Sequence, residues 1–146
     1  MKNLKNLILV RHADYDQDDG HDPKLSSTGV FQSRGLALAI KKVIGREKTT
    51  IWSSSAVRAK ETAEIIQQEM NPAELIIEEK LWSDKKHRHD FDWLKQRLEE
   101  FEGENLIIVS HLEYVRLFPL MLGYDDNNAG YAGGVLIRNG QCEDFN

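Results

Sequence analysis

Cysteine is almost missing from this chain. Cys142 is the only one among 146 residues, which excludes an internal disulfide and any cysteine-rich zinc site. Positive charge is also in short supply, with 19 Lys and Arg against 24 Asp and Glu and a net charge of −5. That balance argues against a nucleic-acid partner held by phosphate neutralisation. No segment approaches the roughly 20 apolar residues of a membrane span. The apolar run after Met1-Lys2-Asn3-Leu4-Lys5-Asn6 is stopped by Arg11, too early for a signal peptide. Repeats, low-complexity tracts and linkers are absent as well. What remains is an ordinary composition, 40% hydrophobic and 29% charged. It fits a single domain over residues 1–146, reduced and cytoplasmic, with no membrane partner.

Against this plain background, one phrase occurs twice. Leu7-Ile8-Leu9-Val10-Arg11-His12 and Leu106-Ile107-Ile108-Val109-Ser110-His111 are apolar runs that each end two residues later in histidine. Four consecutive Leu, Ile or Val residues read as a strand buried on both faces, as in a parallel sheet. Ligands of open α/β sheets collect beyond the carboxyl ends of such strands. The two histidines are therefore candidates for one site.

The rest of the chain alternates strands with helices. An acidic loop, Asp14 to Asp22, follows the first strand. Ser26-Ser27-Thr28-Gly29 then opens a helix to about Ile44, with Leu36, Ala39, Ile40 and Val43 as its buried stripe and Gly45 after it. Thr49 to Trp52 is a strand, and Ser55 suits the N-cap of a helix from Ala56 to Met70. A strand at Leu75–Ile77 precedes a charged connection and a helix from about Asp90 to Phe101. A further helix covers Glu113 to Leu122, which Pro119 is expected to bend or break. Val135–Ile137 is the last expected strand. The pattern predicts an α/β fold, a three-layer α/β/α sandwich around a mostly parallel sheet.

Three strands thus end in reactive or anion-binding residues: Arg11-His12, Ser53 to Arg58, and Ser110-His111. Arg58 lies in the first turn of its helix, where side chains lean toward the helix N-terminus. Free N–H groups there also favour an anion. Arginine grips two phosphate oxygens at once, and histidine can attack phosphorus or donate a hydrogen bond. The constellation suits a phosphoryl group.

The same residues carry a family resemblance. Leu9-Val10-Arg11-His12-Ala13, Leu25-Ser26-Ser27-Thr28-Gly29, Trp52 through Ala63 (including Ser53-Ser54-Ser55 and Arg58-Ala59-Lys60-Glu61-Thr62) and Val109-Ser110-His111 follow in order along the chain. Together they resemble the histidine phosphatase superfamily, with its phosphoglycerate mutase-like fold, and within it the small bacterial phosphohistidine phosphatases. The resemblance implies a nucleophilic His12 that passes through a phosphohistidine intermediate. It also implies that Arg11, Arg58 and His111 bind the phosphoryl oxygens, with Ser110 beside them, and that no metal or cofactor is required. The family usually has glycine where this chain has Ala13.

The family's proton donor is harder to find. It usually follows the third strand, and here the usual position falls on Ser83, with Asp84 one step later. Asp84 is the candidate acid, with His87 and His89 behind it. A missing acid matters unequally. General acid catalysis is worth roughly 10²–10⁴-fold. An alkoxide leaving group needs it, because its parent alcohol is about as weak an acid as water, pKa near 15.7. Imidazole, with a conjugate-acid pKa of about 6.5, does not. The expected function is a metal-independent phosphatase acting on phosphohistidine in a protein. The alternatives are a phosphomonoesterase for a small phosphorylated molecule with Asp84 as donor, and a phospho-binding pseudo-enzyme.

Weaker signals remain. Asp14, Asp16 and Asp18 alternate like calcium ligands, but Asp19 and Leu25 stand where an EF-hand loop needs glycine and glutamate. A solvated loop is the better reading. Lys85-Lys86-His87-Arg88-His89 reads as a charged loop or docking patch, Cys142 as packing or surface, and His21 carries no signal.

Overall fold

The two apolar runs form neighbouring strands. β1 (Asn6–Arg11) lies parallel to β4 (Asn105–Ser110), in register from Asn6 opposite Asn105 to Arg11 opposite Ser110. That register carries the chain into His12 and His111 side by side. The computed structural model describes residues 3–146; Met1 and Lys2, where the sequence reading began, lie outside the described residues.

β2 (Thr49–Ser53) pairs in parallel with β4 and with β3 (Ala73–Ile77). On the other side of β1, β5 (Gly134–Arg138) runs antiparallel and pairs with β6 (Gln141–Phe145). The described residues form one sheet in the order β3-β2-β4-β1-β5-β6. Alternation along the central strands separates two cores. Ile8, Val10, Ile107 and Val109 pack with Leu36 and Ile40 of α1 (Ser27–Ile44) and with Ala59, Ala63 and Ile66 of α2 (Val57–Glu69). Leu7, Leu9, Leu106 and Ile108 pack with Leu94 and Leu98 of α3 (Phe91–Glu100) and Phe118 of α4 (Leu112–Met121). The fold is the expected three-layer α/β/α sandwich. No described helix is long and apolar enough to cross a membrane.

Local chemistry sets the element ends. Ser26 caps α1 by accepting the Gly29 N–H at 3.0 Å, and its own hydroxyl donates to Asp14 Oδ2 at 2.7 Å. A Cβ on Gly29 would collide with the Asp14 carbonyl, so the segment after His12 lies hard against the start of α1. The cap of α2 differs from expectation. Ser55 makes no cap; Asp22 Oδ1, from the acidic loop, accepts the Val57 N–H at 2.8 Å. Pro119 does not break α4, which continues to Met121. A proline has no N–H to give the carbonyl four residues back. Asn127 Nδ2 fills that gap, donating to Val115 O at 3.0 Å. β6 was not expected, because Gln141-Cys142-Glu143-Asp144 has no apolar alternation. Its signal was Asn139-Gly140, both at positive φ (53° and 71°), which turns β5 into β6 as a hairpin.

Candidate active site

The carboxyl ends of β1, β2 and β4 meet at one buried cluster. His12 is 3% exposed and its backbone N–H donates to Ser110 O at 2.9 Å. Its ring Nδ1 lies 2.8 Å from the Ala13 carbonyl, which places the proton on Nδ1 and leaves a lone pair on Nε2. Ala13 stays outside the left-handed region, so its Cβ brings no backbone strain. Its N–H donates to Thr62 Oγ1 of α2 at 3.1 Å.

Arg58 joins the two histidines. Its Nε donates to His12 Nε2 at 3.2 Å and its Nη2 to His111 Nδ1 at 3.3 Å. His111 then carries its proton on Nε2, 2.8 Å from Ser54 Oγ. The Ala56 N–H also donates to Ser54 Oγ, at 3.1 Å. Ser54 has no sequence signal of its own, since it stands between two other serines.

Both rings are neutral. Burial lowers the His12 pKa to about 3; the Ala13 carbonyl opposes it, and the Arg58 and Arg11 charges add to it. Burial, then His12 and Arg58, lowers His111 to about 2. Arg11 Nε is buried with no partner. An anion reaching it would offset the penalty of an unmade hydrogen bond.

Aromatic rings collar this cluster. Tyr15 and Tyr131 have centroids 5.6 Å and 5.9 Å from that of His12, and 6.0 Å from each other. The Arg11 guanidinium lies 4.2 Å over Tyr131, and that of Arg58 lies 5.3 Å over Tyr15 and 6.0 Å over Trp82. None of the three rings stood out in the sequence, since each is separated from the motifs by loop residues.

Two expected residues are committed elsewhere. The Ser110 hydroxyl is fully buried and donates to Leu81 O at 2.6 Å, so it braces the connection after β3 and offers no donor to a phosphoryl group. Asp84 accepts from Trp82 Nε1 at 2.8 Å, from the Lys86 and His87 N–H groups at 2.8 and 2.7 Å, and bonds His87 Nδ1 at 2.8 Å. Burial raises its pKa, but these bonds outweigh it and hold the carboxyl well below the usual range. Such a carboxylate is a poor proton donor. Ser83, in the usual acid position, donates to Glu113 Oε2 at 2.6 Å, and His89 Nδ1 lies 3.2 Å from the same oxygen.

The acidic loop does flank the site, with Asp22 Oδ1 4.0 Å from Arg58 Nη1. Two of its carboxylates serve the loop itself: Asp16 accepts the Asp18 N–H at 3.2 Å, and Asp19 the Lys24 N–H at 3.1 Å. Among the described residues, no three His, Cys, Asp or Glu gather as a metal site. His21 is exposed. Cys142 is half-buried on β6, and burial raises its thiol pKa.

Comparison with known proteins agrees with this geometry. A sequence model of the histidine phosphatase superfamily (branch 1) matches residues 7–82. Among curated proteins, none matches the chain in sequence. The protein histidine phosphatase SixA, solved with tungstate, is similar in fold: TM-score 0.71 and 19% identity over 95% of this chain and 93% of that one. A mycobacterial glucosyl-3-phosphoglycerate phosphatase solved with VO3 gives 0.70 and 14%, covering 90% of each chain. A phosphoglycerate mutase from Plasmodium falciparum gives 0.63 and 21%, over 97% and 89%.

Proposed function

The chain belongs to the histidine phosphatase superfamily and is a phosphatase, and we propose that its substrate is phosphohistidine in a protein. His12 Nε2 attacks phosphorus, the bond to the leaving group breaks, and water then hydrolyses the phosphoryl group from His12. Arg11 and Arg58 turn their guanidinium groups onto the phosphoryl oxygens, where charge develops in transfer. His111 joins them by a change of tautomer. The Ser54 hydroxyl reverses from accepting to donating at Nε2, which frees an Nδ1–H for an oxygen.

The collar of Tyr15, Tyr131 and Trp82 carries the choice of substrate. A planar leaving group entering beside His12 meets aromatic walls on several sides. Each ring pair adds about 0.5–1.5 kcal/mol beyond burial. The anionic Asp84 removes the donor that the phosphomonoesterase alternative relies on. A cytoplasmic location belongs to the same proposal.

The test compares wild type and His12→Ala on a phosphohistidine protein and on phenyl phosphate, quenched in alkali to preserve phosphohistidine. Label on wild-type His12, and faster turnover of the protein than of the ester, are expected. Faster ester cleavage would favour a metabolite phosphomonoesterase. Binding without label or turnover would favour the pseudo-enzyme.

A further inference from the structure

We propose that His87, oriented by Asp84, is the proton donor to the leaving group. The inference rests on the phosphatase reading above and names the acid that reading lacks. Asp84 Oδ1 lies 2.8 Å from His87 Nδ1, and three further hydrogen bonds lock the carboxylate in place. With Nδ1 tied down, Nε2 is the nitrogen that His87 offers to a substrate.

Trp82 connects this pair to the phosphoryl site. His87 stacks on the indole at 4.2 Å and 17°, and the indole lies nearly parallel to the His111 ring, at 6.4 Å and 14°. The Arg58 guanidinium lies 6.0 Å from the same indole. Asp84, His111 and Arg58 are thus grouped with His87 around one indole. The charges of Asp84 and His87 both act on His111. The His87 side chain is 43% exposed and lies against Trp82, one wall of the collar.

An imidazole beside a carboxylate suits general acid catalysis near neutral pH. It also matches this substrate, because donor and leaving group are the same kind of ring and the proton passes between like nitrogens. In the first step the His12 Nε2–P bond forms as the substrate N–P bond breaks. The departing ring keeps that electron pair and takes the His87 Nε2 proton on its other nitrogen. In the second step, water attacks the phosphoryl group on His12 and gives its proton to His87, restoring the imidazolium.

Glu113 is the rival donor, since Ser83 brings its carboxylate to the family's usual acid position. The deciding experiment measures purified His87→Gln, His87→Phe (which keeps the stack on Trp82) and Glu113→Gln against wild type on phenyl and 4-nitrophenyl phosphate. Thermal melts confirm that each variant is folded. Both His87 variants should lose about 10²-fold on phenyl phosphate, and far less on the nitrophenyl ester, whose leaving group needs little acid. Equal losses on the two esters, no loss on either, or the leaving-group dependence in Glu113→Gln instead would each overturn the proposal. These esters test the donor whether or not a phosphohistidine protein is turned over, so the two proposals fail separately.

Discussion

Arg58 Nε donates to His12 Nε2 across 3.2 Å, so the guanidinium sits on the lone pair that must attack phosphorus. Attack requires Arg58 to leave, and the phosphoryl group supplies its new partner. Arg58→Ala should weaken inorganic phosphate binding about 10- to 100-fold, the worth of a charge-assisted hydrogen bond of about 1.5–3 kcal/mol. Titration calorimetry reads this directly. Unchanged affinity would remove Arg58 from the anion site.

Ser54 Oγ, 2.8 Å from His111 Nε2, controls which nitrogen of that ring faces the substrate. Ser54→Ala should lower kcat about tenfold while KM changes little, because only transfer depends on the tautomer. Ser54→Thr should restore most of the rate by returning the hydroxyl. A rise in KM alone, with kcat kept, would assign Ser54 to ground-state binding.

Stability should fall on the acid side. Unfolded histidine takes a proton near pH 6.5, whereas folded His12 resists to about 3 and folded His111 to about 2. Between these limits the unfolded chain binds more protons, so stability is full above pH 6.5 and declines as pH falls toward 3. Each ring contributes up to about 1.4 kcal/mol per pH unit. Urea melts from pH 7 to 4 should show this slope, and His12→Gln should make it shallower. An unchanged slope would mean that His12 is protonated in the fold.

Asn127 Nδ2 stands in for the N–H that Pro119 lacks. Asn127→Ala should cost about 1–3 kcal/mol, the penalty for a buried unsatisfied carbonyl. The same change in a Pro119→Ala background should cost less, since the helix then satisfies Val115 itself. A double-mutant cycle by denaturant melts gives the coupling, and strict additivity would contradict the substitution of one donor by the other.

The legible parts of this molecule were those whose chemistry is local. β1 and β4 announced themselves because a strand buried on both faces needs an unbroken apolar run. Arg11, His12, Arg58 and His111 followed from their places at element ends. The α2 cap was illegible, because Asp22 reaches it from 35 residues away while Ser55 stood next door. Asn127 was hidden in the same way, and so was the collar, whose rings come together only through the loops. Asp84 and Ser110 were expected as proton donor and phosphoryl ligand, yet their hydrogen bonds, invisible in sequence, turn them to other work.

The pairing of Asn6 with Asn105 also constrains the order in which the protein can be made. The centre of the sheet closes a loop of about a hundred residues, so its partner strand leaves the ribosome late. Until then β1 is an apolar segment with an open edge, the kind of surface on which chaperones act. Neither histidine has its neighbour before that moment, so the paired site is assembled only when β4 docks on β1.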